Sequence, residues 1–171
     1  MPEDPNLSLL TELLYADLQR LAHRVRTRTG PPSETLRTTA LVHEAYIKLA
    51  RQGGFRDRGH FLATAALAMR QVLITHARTR LTSKRGSGIA PVPLDLVENI
   101  LAVPEERVVA IDDALQELEQ QHPRLVRVIE CRYFAGYSDA ETAEALGVTE
   151  RTVQRDWVKA KALLYEALGS D

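Results

Sequence analysis

The spacing of apolar residues is the feature that most limits what this chain can fold into. Leucine, valine, isoleucine and alanine recur at intervals of three or four along most of the sequence, and no window alternates apolar with polar residues for long. That period belongs to an α-helix with one buried face, whereas a half-buried strand needs a period of two. Aromatic residues make up only 5% of the sequence, so aliphatic side chains must supply the core. The sequence therefore predicts an all-α protein.

Proline and glycine divide the predicted helices from one another. Neither residue type continues a helix well, and the longest stretch rich in them is "KRGSGIAPVPLDLVENILAVPEE". We expect this stretch to be a linker over residues 84–104 between two small helical domains, 1–83 and 105–171. Helices are expected at about 7–27, 38–51, 60–83, 105–120, 123–134, 139–146 and 150–168.

Charge is unevenly distributed along the chain. The formal net charge is −1, but residues 1–82 carry 12 basic and 7 acidic residues (+5), whereas residues 108–171 carry 7 and 12 (−5). A net charge near zero therefore does not exclude nucleic acid as a partner of the basic half. The sequence contains no apolar run long enough for a membrane span and no signal-peptide pattern, so we expect a cytoplasmic protein that does not bind membranes. A single cysteine, Cys131, excludes an internal disulfide.

The stretch "SDAETAEALGVTERTVQRDWVKAKALL" has the pattern of a helix-turn-helix. A small residue, Ala143, allows two helices to approach closely, and Gly147 suits a left-handed turn between them. Val153 is placed to pack the second helix onto the first. Residues that can cap the two helices precede them: Ser138, with Glu141 completing a capping box, and Thr149.

The second helix of this unit carries the candidate residues for reading DNA. Arginine and glutamine offer paired donors to base edges in the major groove, and lysine suits phosphates. The alternative is an ordinary solvated face on a terminal helix. The outward residues are Glu150, Arg151, Gln154, Arg155 and Lys159, while Val153, Trp157, Val158 and Leu164 are expected to face inward or toward neighbours.

A second candidate surface lies on the long helix of the basic half. Its polar residues recur at spacings of four and three and form one stripe: Gln71, Thr75, Arg78, Thr82 and Arg85, with Arg70, Arg80 and Lys84 beside it. The preceding loop, "GGFRDRGH", combines an aromatic ring with arginine and histidine. Cations along a helix and a loop able to hold an extruded base suit a strand of unpaired DNA.

Enzyme and metal-site motifs do not fit this sequence. "HEAYI" has Ile47 where a zinc-protease motif needs its second histidine, and the five histidines lack ligand spacing. No phosphate-binding glycine loop and no nucleophile elbow is found either. We therefore expect no catalytic residue, no metal and no cofactor.

Taken together, these blocks resemble an extracytoplasmic-function (group IV) sigma factor of the sigma-70 superfamily. The resemblance rests on "TALVHEAYIKLA", "RGHFLATAALAMRQVLITHARTR" and "ALGVTERTVQRDWVKAKALLYEAL", in this order. It implies that residues 1–83 bind the largest-subunit clamp of core RNA polymerase and melt promoter DNA at the −10 element. It also implies that residues 105–171 bind the −35 element and the β flap, and that the linker runs toward the active-site cleft.

The resemblance also assigns roles to individual positions. The helix that reads "ALVHEAYIKL" would bind core polymerase, and the loop and long helix after it would hold the −10 strand. The implied polymerase-binding residues are His43, Glu44, Ile47 and Lys48. The implied −10 residues are Phe55, Arg56, Arg58, His60, Arg70, Gln71, Thr75 and Arg78.

One departure from the family pattern suggests regulation. Most members carry carboxylates just before the core-binding helix segment, whereas this chain has Thr38, Thr39 and Ala40 there. Phosphorylation of Thr39 or Thr38 by a Ser/Thr kinase would restore negative charge at what we expect to be a helix N-terminus. An anti-sigma factor is another candidate regulator. The main alternative function is a helix-turn-helix regulator that never joins RNA polymerase.

Overall fold

A computed structural model of the chain describes residues 32–83 and 104–169, with side chains over residues 40–82 of the first range. Six α-helices make up nearly all of it: α1 (Pro32–Gln52), α2 (Arg58–Ser83), α3 (Glu105–Gln121), α4 (Pro123–Ile129), α5 (Asp139–Leu146) and α6 (Glu150–Gly169). A π-helical turn over Glu130–Phe134 continues α4. The all-α prediction is confirmed for these residues, while the helix expected at 7–27 and residues 84–103 of the expected linker lie outside them.

The first described helix begins earlier than the sequence analysis predicts. It starts at Pro32, so Thr38 and Thr39 lie inside the helix, beyond its first turn. The expectation that the helix starts near Thr38 is therefore wrong, and so is the placement of both threonines at a helix N-terminus. Proline is accommodated at the first helical position because no backbone N–H is needed there. The side chains of both threonines lie outside the described residues.

Local hydrogen bonds set the boundary between α1 and α2. Gly53, with φ 59°, follows the end of α1, and its N–H donates to the carbonyl of Leu49 at 3.1 Å. Asp57 then caps α2, since its carboxylate accepts from the backbone N–H of His60 at 2.7 Å. The predicted Gly-Gly loop is thus a short connection between two well-defined helix ends.

The helix predicted at 123–134 ends in a wider turn. The N–H of Ala135 donates to the carbonyl of Glu130, five residues earlier, at 2.9 Å. This i to i+5 pattern defines a π-helical turn, which rotates side chains relative to an α-helix. Four of its five residues are buried: Glu130, Cys131, Tyr133 and Phe134.

Helix α2 lies at the centre of the described structure. It packs against α1, against α3 and α5, and against the π-helical turn. Most buried apolar side chains of residues 41–77 and of residues 108–164 form one continuous cluster, which includes Phe61 and Leu62 of α2 and Ile111 and Leu115 of α3. The N-terminal half (residues 32–83) and the C-terminal half (residues 104–169) therefore share a core in this conformation. The division into two domains stays a prediction.

Membrane insertion finds no support in the helices that the structure describes. None of the helices within residues 32–83 and 104–169 has both the length and the apolar character needed to cross a bilayer.

Candidate nucleic-acid interface

Helices α5 and α6 form the two-helix unit that the sequence predicts. The hydroxyl of Ser138 accepts from the N–H of Glu141 at 3.1 Å, and the Glu141 carboxylate accepts from the N–H of Ser138 at 2.8 Å. This reciprocal pair is a capping box. Gly147 ends α5 with φ 65° and ψ 35°, the left-handed conformation that glycine adopts at low cost. Both local predictions are confirmed.

Close packing holds the two helices of this unit together. Ala143 of α5 is buried, and Val153 of α6 is fully buried. Thr149 caps α6, since its hydroxyl accepts from the N–H of Thr152 at 3.2 Å. The first turn of α6 is thereby fixed relative to α5, and the side chains on its outer face have defined positions.

The outer face of α6 carries the predicted reading residues. All five are exposed: Glu150, Arg151, Gln154, Arg155 and Lys159. The amide of Gln154 donates to the carboxylate of Asp139 in α5 at 3.1 Å, so its orientation is already constrained. The guanidinium of Arg155 lies 3.5 Å from the carboxylate of Asp156, but its side chain is 70% exposed. The face thus presents cationic and amide donors at a helix N-terminal region, a geometry that can enter a DNA major groove.

One prediction about the inner face of α6 is wrong. Val158 does not face inward, because 66% of its surface is exposed. It lies five residues after Val153, which places it about 140° around the helix from that buried residue. Trp157 is half-buried, with the guanidinium of Arg132 5.5 Å and the ammonium of Lys161 5.2 Å from its ring centroid.

An ion pair that was not predicted from the sequence fixes α6 to α4. The carboxylate of Asp156 is 3% exposed and accepts from the Nε of Arg124 at 2.7 Å. The sequence did indicate that Asp156 is buried, because this residue falls between Val153 and Ala160 on the inner face of α6. A carboxylate on a buried face requires a cation or donors nearby.

The candidate polymerase-binding face of α1 has the predicted exposure. His43, Glu44, Ile47 and Lys48 are exposed, whereas Leu41, Val42, Ala45 and Leu49 are buried. The ammonium of Lys48 hydrogen-bonds the amide oxygen of Gln71 in α2, so this face continues into the polar stripe of α2.

The loop between α1 and α2 holds its aromatic residue in place. The ring of Phe55 packs edge-on against Phe61, at 5.1 Å between centroids, and against His60, at 5.9 Å. The backbone N–H of Arg56 donates to Nδ1 of His60 at 3.2 Å, while the Arg56 side chain is exposed. The loop is therefore ordered by its own contacts and presents a cation beside an aromatic edge.

The polar stripe on α2 is exposed as predicted over the described residues. Gln71, Thr75, Arg78 and Thr82 face solvent, and Arg85 lies outside the described residues.

Arg70 occupies a different position from the other −10 candidates. Its residue is 6% exposed, and its guanidinium contacts Asp112 and Glu130 at 2.8 Å each. Burial disfavours the charged guanidinium, but hydrogen bonds to Glu130 and Asp112 outweigh this effect and raise the pKa of Arg70 above its usual value. Arg70 shares a helix face with Ala66, Leu73 and Ala77, and that spacing was the sequence signal of its burial.

Comparison with known proteins identifies the family. No individual curated protein and no solved structure matches the chain significantly. The profile that describes the family "ECF sigma factor" matches residues 4–170, which is nearly the whole chain and includes both candidate DNA-binding surfaces. The chain belongs to the ECF sigma factor family.

Proposed function

We propose that this sigma factor directs promoter-specific initiation by joining core RNA polymerase in the cytoplasm and contacting the −35 and −10 elements through separate surfaces. The observation that carries the proposal is the family match across both halves of the chain. Such a protein is a subunit that guides an enzyme, so it needs no catalytic residue of its own.

The outer face of α6 is our proposed −35 surface. Arg151, Gln154 and Arg155 are placed to reach base edges, with Glu150 beside them at the start of α6, and Lys159 is one to two turns further on, where a phosphate contact is expected. The hydrogen bond from Gln154 to Asp139 supports this role, because it orders an exposed side chain before DNA arrives.

The surface of α2 and its preceding loop is our proposed −10 surface. The exposed stripe Gln71, Thr75 and Arg78 would follow one strand, with Arg70 joining once its guanidinium is accessible. Phe55, Arg56, Arg58 and His60 would surround a base displaced from the duplex. Binding energy to unpaired bases would offset the unstacking cost of a few kcal/mol for each flipped base, so melting needs no ATP.

The exposed face of α1 is our proposed contact with the largest-subunit clamp, and the C-terminal half would also contact the β flap. Ile47 supports this assignment, because a large apolar side chain that is 39% exposed beside His43, Glu44 and Lys48 is suited to burial by a partner.

The test combines run-off transcription with DNA binding. Purified protein should start RNA synthesis at specific promoters only when core polymerase is added. Arg155→Ala should weaken −35 duplex binding by roughly 1–3 kcal/mol if the side chain reads a base edge. Lys159→Ala should weaken binding about equally on all sequences and flatten its salt dependence. Arg51→Ala, which removes the same charge from the exposed end of α1, is the control for duplex binding.

Phosphorylation of Thr39 or Thr38 is a finer proposal for control by a Ser/Thr kinase. Position 39 lies one helical turn before His43 in α1, so new negative charge there would be next to the proposed polymerase contact. Two observations support the proposal: the position of Thr39 in α1, and the absence here of the carboxylates that most family members carry. A helix N-terminus does not support it, because α1 begins at Pro32. Polymerase affinity should rise for Thr39→Glu and for kinase-treated protein but not for Thr39→Ala. Equal polymerase affinity of all these forms would contradict the proposal.

A further inference from the structure

A polar network joins the first residue of α5 to the outer face of α6. The carboxylate of Asp139 uses both oxygens: Oδ2 accepts from Nε2 of Gln154 at 3.1 Å, and Oδ1 lies 3.2 Å from Nη1 of Arg132. The same Nη1 donates to the backbone carbonyl of Tyr137 at 3.1 Å. The guanidinium of Arg132 also lies over the ring of Trp157, 5.5 Å from its centroid. We call these contacts the Asp139 network.

Arg132 makes a carboxylate acceptable beside a surface that faces DNA. An uncompensated negative charge there would repel phosphates, whereas the nearby guanidinium balances it. The side chains of Arg132 and Asp139 are each 27% exposed, so most of their surface is covered by protein. Asp139 therefore has a defined position before any ligand arrives.

The chemistry of Asp139 decides which way the amide of Gln154 points. An ionised carboxylate only accepts hydrogen bonds, so the amide must turn its NH₂ group toward Asp139 and its oxygen elsewhere. A hydroxyl or an amide at position 139 would accept either orientation, because such groups both donate and accept. Gln154 is exposed, so its Oε1 and its second N–H are accessible to a ligand.

The shape of an amide lets Gln154 bond to Asp139 and to a base at the same time. One N–H of the planar group lies on the same side as the oxygen, and the other points away from the oxygen, toward the side-chain stem. The oxygen and the N–H beside it form the pair of groups that suits adenine, whose N6 amino group donates and whose N7 accepts. The other N–H can donate to Asp139 without competing with this pair.

The other bases fit this amide orientation less well. Guanine presents two acceptors, O6 and N7, in the major groove, so Oε1 of Gln154 would face an acceptor. Thymine offers one acceptor and cytosine one donor, so either base would satisfy only one of the two amide groups. A polar group left unpaired at an interface lowers affinity. The oriented amide therefore favours adenine.

We propose that Gln154 recognises an adenine of the −35 duplex and that Asp139, held by Arg132, is the positioning residue that fixes the amide for this base. The proposal rests on the proposed function, which places the outer face of α6 in the major groove. It adds the class of base and a residue of α5 that acts through Gln154. An amide that is oriented in advance also loses less conformational freedom when DNA binds.

A purely structural link between α5 and α6 explains the contact less well. Buried Ala143 and fully buried Val153 already pack the two helices together. The hydrogen bond between Gln154 and Asp139 is exposed, so water competes with it and its contribution to stability is small.

The first experiment identifies the base that Gln154 reads. Full-length protein is combined with core polymerase and bound to a promoter library randomised over the −35 region, and the bound sequences are compared with the input. Wild type should favour adenine over guanine by roughly 5- to 150-fold at one position, the range of a good bidentate pair. Gln154→Ala should lose this preference and keep the others. At that position 7-deazaadenine, which lacks the N7 acceptor, should weaken wild-type binding but not binding of Gln154→Ala.

The second experiment tests Asp139 with the same library. Asp139→Asn can donate to Oε1 of Gln154 as well as accept from Nε2, so the adenine-to-guanine ratio at that position should fall about threefold or more. Asp139→Ala, which removes the acceptor, should act in the same way. Neither change should alter the ratio in the Gln154→Ala background. A merely structural role of Asp139 would change overall binding and leave this ratio at its wild-type value.

The control for net charge is Glu117→Gln, which removes an exposed carboxylate from α3. Loss of one negative charge acts on all sequences alike, so this variant should keep the wild-type ratio.

The outcomes separate this proposal from the proposed function. If Gln154→Ala leaves every base preference unchanged, or removes a preference for another base, adenine recognition is wrong. If Asp139→Asn and Asp139→Ala both keep the wild-type ratio, Asp139 is not a positioning residue. In these cases, initiation by wild type with core polymerase would leave the sigma-factor role standing. If wild type with core polymerase selects no sequence at all, the −35 role fails and adenine recognition fails with it. If circular dichroism shows that Asp139→Asn does not fold, Asp139→Ala decides alone.

Discussion

Replacing Glu130 by alanine should cause one of the largest losses of stability available to a single substitution in this chain. The carboxylate is 1% exposed and accepts from two guanidinium groups, that of Arg70 at 2.8 Å and that of Arg127 at 3.0 Å. Arg127 is 41% exposed and can turn toward water. Arg70 cannot, so Glu130→Ala leaves a buried cation with Asp112 as its remaining partner.

The expected magnitude follows from the buried partner that Arg70 loses. Removing one partner of a buried ion pair costs about 3–5 kcal/mol, whereas an exposed substitution away from such contacts stays within about 0.5 kcal/mol. With a urea dependence of about 2 kcal/mol per molar, the unfolding midpoint should fall by about 2 M. Glu117→Ala removes an exposed carboxylate from α3 and provides the matched control.

The assay is urea unfolding followed by circular dichroism, for Glu130→Ala, Arg70→Ala and the double variant. Because the cost comes mainly from the stranded guanidinium, removing Arg70 as well should restore part of the stability that Glu130→Ala loses. A midpoint for Glu130→Ala that matches Glu117→Ala would refute the reasoning. So would a double variant whose loss equals the sum of the two single losses.

Three smaller effects can be measured on the same protein. Ser138→Ala removes the capping box of α5 and should cost about 1 kcal/mol in urea unfolding, with Ser138→Thr as the variant that keeps a capping hydroxyl. Gly147→Ala should cost about 1–2 kcal/mol because of the positive φ at this position. No steric clash adds to this cost, since a Cβ there would meet nothing within 4 Å, and an unchanged urea midpoint would contradict the left-handed turn. Burial raises the pKa of Cys131 to about 12, so the thiol stays protonated in the folded protein at pH 8. Cys131 should therefore react with Ellman's reagent only as the protein unfolds, and immediate reaction would show that the thiol is accessible.

Local features of this fold could be predicted well from the sequence. The buried faces of α1 and α6 follow from helical spacing, and the turn at Gly147 and the cap at Ser138 depend on residues at most four positions away. Each of these features is decided by short-range backbone and side-chain contacts. The position of Val158 was mistaken because an apolar residue need not face the core.

Contacts between the halves could not be predicted in the same way. Arg70 and its partners Asp112 and Glu130 are separated by 42 and 60 residues, and helical periodicity reports which face is buried but not what covers it. Arg70 was grouped with the polar stripe that begins at Gln71, although its own helix face is apolar. The early start of α1 at Pro32 was missed for a different reason, since proline both ends helices and begins them.

The widened turn at Glu130–Phe134 has a consequence for how the chain tolerates change. In a helix with one buried face, exposed positions that tolerate substitution alternate with buried positions that do not. A scan of all single substitutions should therefore show this periodic pattern along α1 and α6. From Leu125 to Ala135, only Arg127 and Arg132 are not buried. Within the part of the chain that the structure describes, that stretch should appear in such a scan as an almost unbroken run of positions that do not tolerate substitution.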